Sequence, residues 1–136
     1  MSFLELNFIS VIIAAIAGFA IGGVWYSVLG NAWMSAVDMS AKPDKMPVGP
    51  MLAAIIANFI MAAILSGIVT HVVNGGEWTI RSGIISGILV WVGFVITTQS
   101  VNYAFQGKKI SLTIIDGGHW LLVLVVQGAI LGYMGV

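Results

Sequence analysis

Only ten of the 136 side chains carry a formal charge, and their placement leaves four long uncharged stretches: 6–37, 46–76, 82–107 and 117–136. A helix needs roughly 20 apolar residues to cross the hydrocarbon of a bilayer, so each stretch supplies one crossing and none supplies two. Apolar residues make up 60% of the chain and charged ones 7%, against about a quarter charged in a soluble domain. Water cannot wet such a surface all round. The reading is all-α: a four-helix transmembrane bundle forming one domain over 1–136, with helices near 8–26, 51–73, 82–103 and 111–133.

The connections carry start and stop signals. Lys42-Pro43-Asp44-Lys45-Met46-Pro47 leads to Pro50, Asn74-Gly75-Gly76 follows the second helix, and Gln106-Gly107-Lys108-Lys109 follows the third. Proline in a first turn and Asn-Gly after a last turn are what helix ends require. Loops this short force antiparallel neighbours. A cleavable signal peptide needs a basic segment before its apolar core, and Glu5 is the only charge ahead of the first helix, so that helix is expected to remain in the mature protein.

Several function classes drop out. No cysteine is present, so there is no thiol nucleophile, disulfide or Cys-ligated metal. Net charge is zero and no basic run occurs, so nucleic acid is not an expected partner. Nucleophile elbow, phosphate loop, paired carboxylates and dinucleotide fingerprint are all missing. His71 and His119 fall near opposite membrane surfaces, which argues against a shared metal. No cofactor is expected.

Lys42, Lys45, Lys108 and Lys109 fall on one side of the bundle against Arg81 on the other. The excess of Lys and Arg marks the cytoplasmic side, so both termini are predicted outside, in a multi-pass arrangement suited to a bacterial inner membrane. Trp25, Tyr26, Trp33 and Tyr103 then lie at the inner interface, with Trp78 and Tyr133 at the outer. Between the first two helices, Trp33, Met34 and Val37 suit either a short amphipathic helix on the inner surface or an irregular loop.

Helices in lipid associate by close backbone approach, which small residues four apart permit. Gly18 and Gly22, Gly83 and Gly87, and Gly128 and Gly132 have that spacing, as do Ala63 and Gly67. On the fourth helix Gly117, Gly128 and Gly132 form one face, while Asp116, Val123 and Gln127 form another, with His119 beside it. Neither face suits lipid. The expected partners are therefore the bilayer itself and a second copy or another membrane protein.

Asp116 is the one formal charge inside a predicted span, and ionisable groups there are costly enough to be functional candidates. It is read either as an interfacial carboxylate or as part of a site. His119 follows three residues on, where a carboxylate can orient the imidazole. Thr98, Gln99 and Asn102 reach the same depth, and Tyr26 ends the first helix there. The candidate site is a polar pocket of Tyr26, Gln99, Asn102, Asp116 and His119, the alternative being a set of hydrogen bonds that hold the bundle together.

Gly22-Gly23-Val24-Trp25-Tyr26-Ser27, followed by Gly30-Asn31-Ala32-Trp33-Met34, resembles the first-helix motif of small bacterial membrane proteins grouped as domain of unknown function number seventeen sixty-one. Val28 stands where that pattern has proline, and the connection is two residues shorter. Asn102 to Lys108, leading to Gly128-Ala129-Ile130-Leu131-Gly132, is similar to the end of the same domain. The resemblance brackets nearly the whole chain and implies a four-helix integral membrane protein without an established activity. Small multidrug transporters are similar in hydropathy, but they carry an acid in mid-first-helix, and none occurs from Leu6 to Val37. The leading expectation is a non-enzymatic membrane protein that acts through helix packing, as a homo-oligomer or a small subunit. A small-solute or proton pathway through the polar pocket is the alternative.

Overall fold

The computed structural model describes residues 6–40, 45 and 47–135. Among the described residues five helices make up the fold: α1 (Phe8–Val28), α2 (Gly30–Ala36), α3 (Val48–Val73), α4 (Ile80–Phe105) and α5 (Ile110–Met134). All except α2 are long and apolar enough to cross a membrane, and no strand occurs among the described residues. Each long helix runs a little past its predicted bounds, for local reasons. α1 starts where the Asn7 side chain accepts the amides of Ile9 and Ser10, which satisfies donors that have no partner within the helix. α4 starts early because Thr79 and Ser82 cap each other reciprocally.

The ends follow the same logic. Asn74 leaves α3 at φ 47, and Gly107 follows α4 at φ 67. Left-handed backbone of this kind lets amides turn back onto the last carbonyls, and Lys108 N–H reaches the Tyr103 carbonyl at 2.9 Å. Of the two alternatives for the stretch around Trp33 and Met34, the short helix is found, over Gly30–Ala36. α2 ends in the same type of turn, with Asp38 at φ 58 and the Met39 amide on the Met34 carbonyl at 2.8 Å. Lys42, one of the four lysines used to orient the chain, lies outside the described residues.

The centre of the bundle is formed by α1, α3 and α5, around Val11, Ala14, Ala62, Leu65, Val69, Leu124 and Leu131. Isoleucine, valine and phenylalanine instead crowd the outside: Ile9, Ile16, Ile60, Phe94 and Phe105 are all exposed. That inversion of a soluble protein is stable only where lipid covers the surface.

Glycine sets the distance between α4 and α5. A methyl group on Gly83 would run into the Gly128 carbonyl, one on Gly128 into the Gly83 carbonyl, and one on Gly132 into the Thr79 carbonyl. One on Gly87 would sit 2.5 Å from the Leu124 carbonyl oxygen. Backbone meets backbone along this seam, the geometry that small residues permit in membranes. On the other side of α5, Gly18 of α1 makes room for the Asn58 and Gln127 amides, and Gly22 for the His119 ring, whose Nε2 would lie 3.1 Å from a methyl there. Both non-lipid faces of α5 are thus taken up inside the chain.

Midway, α4 changes character. Trp91–Val95 is a π-helical turn, in which the Ile96 amide bonds the Trp91 carbonyl five residues back. Such a turn inserts part of a residue and swings the face that follows. Thr97 and Thr98 return their hydroxyls to the Gly93 and Phe94 carbonyls at 2.9 and 2.6 Å, which satisfies backbone groups that lipid could not.

Candidate functional site

Asp116 is the one carboxylate within the described spans, and both of its oxygens are taken. The Tyr26 hydroxyl donates to Oδ1 and the Tyr103 hydroxyl to Oδ2, each at 2.6 Å. The two phenols come from α1 and α4, so the carboxylate on α5 ties three helices at one point. Bonds this short lie at the tight end of the range for hydroxyl donors and oxygen acceptors.

The residues around Asp116 explain how bulky partners reach it. Trp25 donates its indole N–H to the Ile115 carbonyl at 3.1 Å, and Trp91 donates to the Gly117 carbonyl at 2.8 Å. α5 is therefore gripped on both flanks within one turn. Gly117 and Gly118 make the grip possible: a methyl on the first would meet Ile96 Cδ1 at 2.8 Å, and one on the second would meet the Trp25 ring at 3.0 Å. The rings lie where backbone would otherwise be shielded by side chains.

Of the five residues read as a pocket, three come together around the carboxylate. Tyr26 bonds Asp116, and the His119 ring lies 5.0 Å from the Tyr26 ring, centre to centre. His119 is 5% exposed, and its Nδ1 has no hydrogen-bond partner. Gln99 reaches the same place, its Oε1 3.5 Å from where a methyl on Gly117 would sit, but that oxygen is also without a partner. Asn102 is exposed on α4, and its side chain joins none of these bonds. Two apolar surface grooves, one of about 440 Å³ between Ala20, Val24, Val28 and Leu122 and one between Ile12, Phe19 and Phe59, are lined by none of these polar residues.

Sequence reasoning missed three kinds of participant. Tyr103 was accounted for as an interfacial aromatic, although it sits one turn beyond Gln99 and a phenol has the reach to meet Asp116. Trp25 was missed for the same reason and Trp91 was given no role, yet a partly buried indole N–H has to find an acceptor. The third is a deeper amide pair: Gln127 Nε2 donates to the Asn58 carbonyl at 3.3 Å and to Asn58 Oδ1 at 3.4 Å. Both residues are buried, and Gln127 Oε1 is unpartnered. The signal was the gap at Gly18, whose missing side chain leaves the space that the amides fill.

Outside the span, Lys109 Nζ bonds Asp38 Oδ1 at 2.8 Å and the Ser35 carbonyl at 3.1 Å. The hydrogen bond first, and the ammonium charge second, hold the exposed Asp38 carboxyl below the usual carboxylate range. Among the described residues no group of three or more His, Cys, Asp or Glu side chains is arranged to hold a metal.

Four apolar helices, closed on one another through glycine and tied by a carboxylate at one end, define a multi-pass membrane protein. Residues 9–132 match the family model described as protein of unknown function (DUF1761), and the chain belongs to that family. The match spans both motifs that carried the resemblance. No curated protein and no solved structure matches the chain.

Proposed function

We propose that this is a non-catalytic membrane protein that works through helix packing, as a homo-oligomer or as a small subunit of a membrane complex. The observation that carries the reading is the double tyrosine bond to Asp116. The one acid in the described spans has both oxygens occupied by neighbouring helices. The outward surface for a partner is the second half of α4. That half has no fully buried residue, yet Gly93, Thr97, Ser100 and Ala104 lie exposed along it, and small residues favour helix contact. In this reading the lysine-bearing loops face the cytoplasm and both termini the outside, in a bacterial inner membrane, consistent with Lys45, Lys108 and Lys109 opposing Arg81.

A small-solute or proton pathway is the second reading. Its support is the pair of buried atoms without partners, His119 Nδ1 and Gln127 Oε1, on the same helix as Asp116. Reconstituted liposomes separate the two. The packing reading expects wild-type vesicles no leakier than protein-free ones across pH and a panel of small ions, and a native mass above that of one chain. A pH-dependent flux that Asp116→Asn abolishes would replace it with the pathway. Orientation is read with single cysteines: one at Lys108 should be shielded from an impermeant thiol reagent in intact cells, and one at Glu77 should react.

A further inference from the structure

The bundle end that holds Asp116 is covered by α2. Ala36 is 3% exposed and packs with Leu112 and Ile115, and around them lie Trp33 and Val37 together with Tyr26 and Tyr103. These last two are the phenols that hold the carboxylate. The Trp33 ring stands edge-on to Tyr26, 6.3 Å between centres. α2 therefore rests on the backs of the groups that clasp Asp116. What fastens it is slight: a seven-residue helix, one small apolar cluster, and Lys109 bonding the Ser35 carbonyl and the Asp38 carboxylate in the open. Exposed ion pairs of that kind contribute little.

The turn that ends α2 aims the latch. Asp38 occupies the left-handed position, at φ 58, that glycine fills most readily. A carboxylate at this position, where glycine would cap better, gives Lys109 a partner 71 residues along the chain. We propose that α2 is a strap, latched by Asp38 and Lys109, whose opening admits the aqueous phase to the Asp116 clasp. Segments with few buried contacts open locally at low free energy, so the strap opens without the bundle unfolding.

The chain tests this directly, because it has no cysteine of its own. Ala36→Cys places a single thiol under the strap, and Met39→Cys, on a residue 38% exposed, serves as the open reference. With a water-soluble maleimide, Ala36→Cys should react at least about tenfold more slowly than the reference. Adding Lys109→Gln, or Asp38→Gly, which keeps the turn and removes the carboxylate, should raise the rate about threefold, as an exposed pair allows. Trp33→Ala should raise it about tenfold. Carbodiimide coupling of an amine at Asp116, read by mass spectrometry and normalised to exposed Glu77, should rise in the same order. Equal rates for the two thiols would overturn the closed strap. A faster thiol with unchanged coupling at Asp116 would overturn the gating of that carboxylate. If Trp33→Ala fails to fold, the two latch variants, on exposed side chains, decide the matter alone.

Discussion

The two halves of α4 join the same neighbour by different means. From Ile80 to Val90 the helix lies backbone to backbone on α5, with Gly83, Ser86 and Gly87 buried. From Trp91 to Phe105 no residue is fully buried, and α5 is reached by Trp91, Ile96, Gln99 and Tyr103. The π turn separates the two regimes. In lipid no hydrophobic force draws helices together, so association rests on dispersion at close range or on polar bonds at longer range. The glycine half uses the first and the clasp half the second. Close packing tolerates no added atom, whereas a tether tolerates rearrangement of its surroundings but not loss of its partners.

The largest expected effect breaks the first half. Gly83→Leu drives a side chain into the Gly128 carbonyl and should cost several kcal/mol, on the order of 4 or more, since neither backbone can yield without parting the helices. Thermal unfolding in mild detergent reads it. The same substitution at Gly93, where a methyl would meet nothing within 4 Å, should not lower the monomer's stability. Gly93→Ala should raise it slightly, by up to about 1 kcal/mol, through helix propensity. A Gly83 variant as stable as the Gly93 one would dissolve the distinction between the halves.

The second half should respond more mildly. Tyr26→Phe and Tyr103→Phe each remove one bond to Asp116 and should cost about 1–3 kcal/mol, the range for leaving a buried acceptor without its partner. Because the phenol rings remain packed, the helices should keep their contacts.

The four spans were legible because so few charges interrupt them, and the cap at Thr79 only extends what hydropathy outlines. The glycine spacing was equally plain, but spacing does not name a partner. Gly128 and Gly132 on a face apart from Gln127 suggested one surface for the bundle and another for a second protein; the structure spends the first on α4 and the second on α1 and α3. Depth along antiparallel helices brought Tyr26, Gln99, Asp116 and His119 to one level. It could not show that Asn102 points outward, because the π turn changes the facing of everything after Trp91. Tyr103 and Trp25 stayed hidden because an interfacial aromatic already has an explanation in the membrane.

The smallest effect lies at the latch. Lys109 depresses the Asp38 carboxyl in the folded chain, so the pair's contribution is complete above the ordinary carboxylate pKa and is lost as pH falls through the lowered folded value. The ratio of thiol reactivity at Ala36→Cys between the native chain and its Asp38→Gly counterpart should therefore approach one in acid. A ratio that stays constant through the carboxylate range would remove Asp38 from the latch.

The central claim is that Asp116 is a tie between helices, and a double-mutant cycle in detergent tests it most directly. Asp116→Ala and Tyr103→Phe are compared with the double variant by unfolding free energy. If the phenol spends its hydroxyl on the carboxylate, the two changes should fall short of additivity by at least about 1 kcal/mol, because the second removes a bond already lost. Effects that add to within about 0.5 kcal/mol, the behaviour of independent sites, would contradict it.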